Sequence, residues 1–343
     1  MKFWTVVMVF VGVVGAENSD TSGKNDHNKD EHSRLCAVLK VAVNKWGEVH
    51  TREPTDPLRK ALGRTIFGDE KGGDLGSLKG ELPGGYKDVG GRRGTLCGQP
   101  REEDGYTTVH QPRWPGHSAP HDMVCLCTVG PGGWPLNVSE NTLCGGDKET
   151  LRAGSGKGWG TVGIPSHHVE GKEQIQATWT NVTSECLQGG KEKGEELKDA
   201  LNKFINTLVA KPSHAHPSRR QLGEGNPGEF YACTGSKTYG VCVMYYPNDK
   251  DTKTWWKDLQ TAIKEDEEIQ KQREEEEKRK QQEKVNDKDQ PRAERLSATP
   301  TTTNQTEASK QDNLTDKLRR LNITSGTPIS MPSSWLLRAV FLF

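Results

Sequence analysis

No run of apolar residues in this 343-residue chain is long enough to cross a bilayer. A spanning helix needs about 20 apolar residues, whereas the C-terminal run, residues 335–343, has nine and carries Arg338 in its middle. Charge of one sign is not in excess either: 47 Lys and Arg face 47 Asp and Glu, which argues against a nucleic-acid partner or a polybasic membrane contact. Hydrophobic residues make up 31% and aromatic ones 6%, too few for one core spread over the whole length. The motifs of common chemistries are missing as well. There is no HExxH and no GxSxG. Gly223-Glu-Gly-Asn-Pro-Gly228 matches GxGxxG by letter, but Pro227 interrupts it and no strand precedes it. Gly156-Lys157 lacks the following Ser or Thr and has Leu151 where a Walker glycine belongs. No enzyme activity, catalytic residue, metal or cofactor is expected.

What is present starts at the two ends. Met1-Lys2, the apolar residues 3–14 and the small residues Val14-Gly15-Ala16 read as a signal peptide, residues 1–16, cleaved after Ala16. At the other end Ser325-Gly326-Thr327, a polar spacer and the apolar residues 335–343 have the order of a glycosylphosphatidylinositol (GPI) anchor signal. A plain apolar C-terminus docked in a groove is the alternative, but the pairing with a leader favours the anchor. Attachment is expected at Ser325, with Gly326 second and residues 326–343 removed. The mature chain then sits on the extracellular face of the plasma membrane, tied to the outer leaflet by lipid. It loses Lys2 and Arg338 and no acid, leaving 45 basic against 47 acidic residues.

Eight cysteines, Cys36, Cys97, Cys125, Cys127, Cys144, Cys186, Cys233 and Cys242, form an even set in an exported chain, so disulfides are the default. Eight allow 105 pairings and spacing does not choose among them. A bridge between Cys233 and Cys242 is suggested by the turn-rich segment they bracket, and residues 230–246 read as a pair of short strands. In residues 123–129 the alternation reads as a strand with Cys125 and Cys127 on one face, each clamping a different segment. His110, His117, His121, Cys125 and Cys127 can be drawn as a zinc site. Oxidation of the cysteines in an exported chain weighs against it.

Leu35, Val38, Leu39, Ala42 and Trp46 recur at helical spacing and predict a helix over 30–47. Asp56 caps a second helix, with Pro57 in its first turn and Gly68 at its end. Ten glycines in residues 68–94 predict exposed loops. Leu197, Leu201, Phe204, Ile205 and Leu208 predict another amphipathic helix before Pro212. Trp255, Trp256, Leu259 and Ile263 open a helix whose apolar face then fades into Glu, Lys and Arg up to about residue 289. The organisation expected is a disulfide-linked domain over 17–250, a charged helix over 251–290 and a Thr-rich stalk over 291–325. Sequons place N-linked sugars at Asn137, Asn181, Asn304, Asn313 and Asn322.

Residues 35–46, residues 61–67, the Trp-Pro-Gly-His block within residues 111–121, Val124-Cys-Leu-Cys127 with Gly133-Trp-Pro135, and Ala232-Cys-Thr-Gly235 through residues 241–247 resemble the variant surface glycoproteins of African trypanosomes. The resemblance implies a mainly α fold: an elongated helical bundle, a Gly-rich, disulfide-braced head of loops and a β-hairpin, and a charged helical, then disordered, stalk. It implies a homodimer in a dense coat that shields the cell and varies to escape host antibodies. The helices near residues 30, 197 and 255 would form the bundle, and the loops with Cys97 to Cys144 the head. This chain departs from many relatives in having no cysteine after Cys242, which favours a stalk over a second folded domain. Anchored nutrient receptors of the same organisms share the fold and are the alternative.

Overall fold

The computed structural model describes residues 25–101, 111–138, 140–163, 170–190 and 196–286. Helix α1 (Lys29–Val49) is the element the others pack on. Leu35, Val38, Leu39, Ala42 and Trp46 are buried, as the spacing predicts, and Val43 and Val49 join them. Asn28 precedes it with φ 55°, a left-handed conformation that Asn tolerates better than most residues. Instead of capping the helix, the Asn28 amide donates to the carbonyls of Leu126 (2.9 Å) and Val241 (2.7 Å), and its Oδ1 accepts the Glu224 N–H (3.0 Å). One residue at the mouth of α1 thereby ties down two distant segments. Asp30 and Glu31 lie in the first turn, where the helix dipole favours acid.

Helix α2 (Pro57–Phe67) forms as expected: the Asp56 carboxylate accepts the Arg59 N–H at 2.8 Å, and Gly68 ends the helix at φ 78°. Leu58, Ala61, Leu62 and Ile66 face α1 and the core. The glycine-rich residues 68–94 hold more order than their composition suggests. A short helix α3 (Leu75–Gly80) is followed by a single 3-10 turn that buries Tyr86, and then by α4 (Arg93–Gly98), mostly buried.

Residues 123–129 are not a strand. They belong to α5 (Ala119–Cys127), whose nine residues are all buried. Ser118 accepts the His121 N–H at its start, and Pro120 sits in the first turn. With every position inside, the apolar run carries no exposure rhythm, and period alone cannot separate a buried strand from a buried helix. Two residues apart on a helix is about 200°, so Cys125 and Cys127 point to opposite sides. Cys125 bonds Cys97 on α4, and Cys127 bonds Cys144. The two clamps are present, from a different backbone.

Helix α6 (Lys172–Thr178), a π turn (Trp179–Thr183) and α7 (Ser184–Cys186) run on from one another, and Cys186 bonds Cys36 of α1. Helix α8 (Leu197–Thr207) lays Leu197, Ala200, Leu201 and Phe204 against α1. Strands are few. β1 (Asp26–His27) pairs in parallel with β2 (Thr142–Leu143), and β3 (Val209–Ala210), β4 (Arg220–Gly223) and β5 (Cys242–Tyr245) form an antiparallel sheet in that order. The hairpin expected within 230–246 is therefore corrected. Only its second half is a strand, and the partner is β4, with Leu222 opposite Val243. Residues 224–241 loop out between them. Gly240, at φ 83°, passes so near Glu224 that a Cβ would sit 1.8 Å from the carbonyl oxygen. The Cys233–Cys242 bridge closes that loop.

Helix α9 (Trp255–Asn286) is the last described element. Trp255, Trp256, Leu259, Ala262 and Ile263 are buried, Trp255 against Phe204 with ring centroids 5.2 Å apart. Arg52 reaches Asp266 at 2.6 Å and Lys198 reaches Glu267 at 2.8 Å. Beyond Ile269 the side chains described, to Gln282, are exposed. Of the i,i+4 pairs the composition offers, Glu276–Lys280 closes at 2.7 Å, while Glu267 turns to Lys198 on α8 rather than along its own helix. The described residues up to Gln281 form one compact unit. The fold is mainly helical, with few strands and four disulfides.

Candidate functional site

Two of the five sugar acceptors lie among the described residues, and both are exposed. Asn137 sits in a turn shortly after a 3-10 turn (Pro131–Gly133). Asn181 lies in the π turn, where its amide donates to the Thr150 carbonyl at 2.8 Å. An N-linked sugar replaces one of two amide hydrogens, so that bond can persist after modification. Asn304, Asn313, Asn322 and the anchor candidates Ser325 and Gly326 fall outside the described residues.

The histidine and cysteine cluster is partly brought together. His110 lies outside the described residues, while His117 and His121 flank the start of α5. The ligand atoms of Cys97, His121 and Cys125 lie within 4.8 Å of one another, as do those of His32, Cys36 and Cys186. In both sets the two sulfurs are bonded to each other, so neither set offers the thiolates that a zinc site needs. His121 has both ring nitrogens engaged: Nδ1 meets the Tyr86 hydroxyl at 2.8 Å and Nε2 the Leu96 carbonyl at 3.0 Å. That carbonyl can only accept, so Nε2 carries the hydrogen and Nδ1 accepts from Tyr86. Burial, reinforced by the Arg113 cation, pushes His121 down to about 3. His117 is held well below its usual range by burial first, then by Arg113, His121, Arg64 and Arg101. Both imidazoles are neutral.

The two charged residues at the centre escaped the sequence reading. Asp122, on α5, is fully buried. Its Oδ1 accepts the Gly116 N–H at 2.9 Å, and its Oδ2 accepts the Tyr245 hydroxyl at 2.8 Å and the Trp255 indole N–H at 2.7 Å. One carboxylate so joins α5, β5, α9 and the loop before α5. Burial pushes it up to about 7, against the pull of the three donors. Arg93 is the second. Its guanidinium donates to the carbonyls of Cys125 (2.6 Å), Thr128 (2.7 Å), Val129 (3.4 Å) and Trp159 (3.0 Å) and lies over the Trp159 ring. It occupies the C-terminal end of α5, where a helix dipole favours a cation. Burial lowers it to about 9, still protonated at neutral pH. Neither residue stands out in the sequence, because a lone Asp or Arg reads as surface.

This arrangement positions backbone rather than a reactant. Asp122 has its oxygens taken by donors, His121 has both nitrogens taken, and every cysteine is bonded. Among the described residues no helix is long and apolar enough to cross a membrane. Residues 42–285 match a family model described as the trypanosomal VSG domain. No curated protein matches the chain.

Proposed function

The chain belongs to the trypanosomal VSG domain family, a surface-coat family, and on that premise we propose that it is a GPI-anchored coat glycoprotein, a shield and variable antigen that protects the cell from host antibodies. The family match over residues 42–285 carries the reading. The interior supports it. A coat needs a rigid, sugar-bearing body and no reactive group, and here the polar centre is spent on holding helices together while four disulfides brace the chain. The lipid foot at Ser325, the homodimer and the absence of catalysis belong to the same proposal.

Phosphatidylinositol-specific phospholipase C applied to intact cells tests it. The expected outcome is release of a soluble glycoprotein whose C-terminal peptide, by mass spectrometry, ends at Ser325 or next at Gly326 and carries the glycan remnant. Retention on the cell with residues 335–343 still attached overturns the anchor. A few copies per cell, in place of a dense layer, overturns the coat.

A further inference from the structure

A hollow of about 370 Å³ opens between α8, the β3–β4 turn, the bend at Pro247 and Asn248, and the first turn of α9. Ile205, Pro217 and Trp256 give it apolar walls, while Arg219, Arg220 and Lys257 bring positive charge; no carboxylate lines it. Two of the cations are built in. Arg219, 4% exposed, donates to the carbonyls of Lys211 (2.6 Å) and Gly228 (3.1 Å), and Lys257 donates to that of Pro247 (2.6 Å). Lys257 and Arg220 are both exposed, and Arg220 makes no ion pair among the described residues.

Trp256 supplies an independent sign. The residue is 5% exposed and its indole N–H has no acceptor, while the neighbouring Trp255 gives its N–H to Asp122. Buried donors are nearly always paired, and an orphan beside a cation-lined hollow marks the place for an acceptor. The positive end of α9 adds to the same field. A volume in the range of small-molecule sites, apolar walls and few convergent donors are the marks of a ligand pocket. A guanidinium fork fits a planar carboxylate with two parallel hydrogen bonds, and the apolar walls ask for a hydrocarbon body attached to it.

We propose that this hollow binds a small amphipathic carboxylate, its acid group on Arg220 and the Trp256 N–H and its apolar body against Ile205 and Pro217. The site goes beyond the coat reading and does not rest on it.

Equilibrium dialysis of the purified glycoprotein with 1-naphthoate, and with neutral 1-naphthalenemethanol as control, tests the site. Saturable binding of one naphthoate per chain is expected, with the alcohol about tenfold weaker. R220Q is expected to weaken naphthoate about tenfold, and W256F, which keeps the ring and removes the N–H, several-fold. Folding of each variant is checked by far-ultraviolet circular dichroism. If W256F fails to fold, R220Q, altered at an exposed side chain, decides alone. No saturable binding, equal affinity for acid and alcohol, or an affinity that either folded variant leaves unchanged overturns the proposal.

Discussion

Asp122 and His121 are neighbours on α5 whose titrations pull stability in opposite directions. Asp122 is raised to about 7 in the folded chain, so between the ordinary carboxylate range and that value the folded state holds a proton that the unfolded state has released. Its contribution is present at low pH and is lost as pH rises through about 7. His121 is lowered to about 3, so its contribution is present above the ordinary imidazole range and is lost as pH falls towards about 3. Guanidinium melts from pH 4 to 7 separate the two. Relative to Asp122→Asn, the wild type is expected to lose stability on going up that range; relative to His121→Gln, it is expected to gain. Arg93→Met keeps the bulk and removes the donors from four carbonyls, and is expected to cost about 3–5 kcal/mol in the same melts. What could be read at this scale was local. Asp56 announces its cap through Pro57 and the apolar spacing behind it. Asp122 and Arg93 announce nothing, because their partners come from segments as distant as Tyr245 and Trp159.

Elements with one wet face were legible. α1 and α8 show a stripe because their other sides meet water, while α2, none of whose residues is fully exposed, is legible through its Asp56 cap, Pro57 and apolar spacing. α5 shows none because all nine of its residues are inside. The Ser118 cap with Pro120 two places on is the signal that could have revealed the helix. Strand β5 was half legible: its own residues read as extended, but a partner lying 19 or more positions back, across a glycine-rich loop, cannot be read from local spacing. Close backbone crossings add a constraint between elements that no period reports. Gly130 passes Gly235 so tightly that a Cβ would stand 1.8 Å from its carbonyl oxygen. Gly130→Ala is expected to destabilise by about 3 kcal/mol, seen as a lower denaturation midpoint with an unchanged slope.

Across the whole chain the four bridges differ in how much of the polypeptide they close. Cys36–Cys186 spans 150 positions and Cys233–Cys242 spans 9. In the loop-closure account the longer one restricts the unfolded chain more, by roughly 2.5 kcal/mol between loops of these sizes. Replacing Cys36 and Cys186 by Ser is therefore expected to lower stability more than replacing Cys233 and Cys242, measured side by side in guanidinium. The cysteine count announced the bridges, and only the Cys233–Cys242 pair was suggested by position, since the other partners are set by how helices pack. Residue 137 and residue 181 were placed at the surface by their sequons and lie there.

One of the blocks that carry the family resemblance, Cys125-Leu-Cys127, lies on a helix with no residue outside. No paratope can reach it while the protein is folded, so serum raised against the native form has no means of selecting against it. On the coat reading proposed above, antibody selection would act on the surface around this block and leave the block itself untouched.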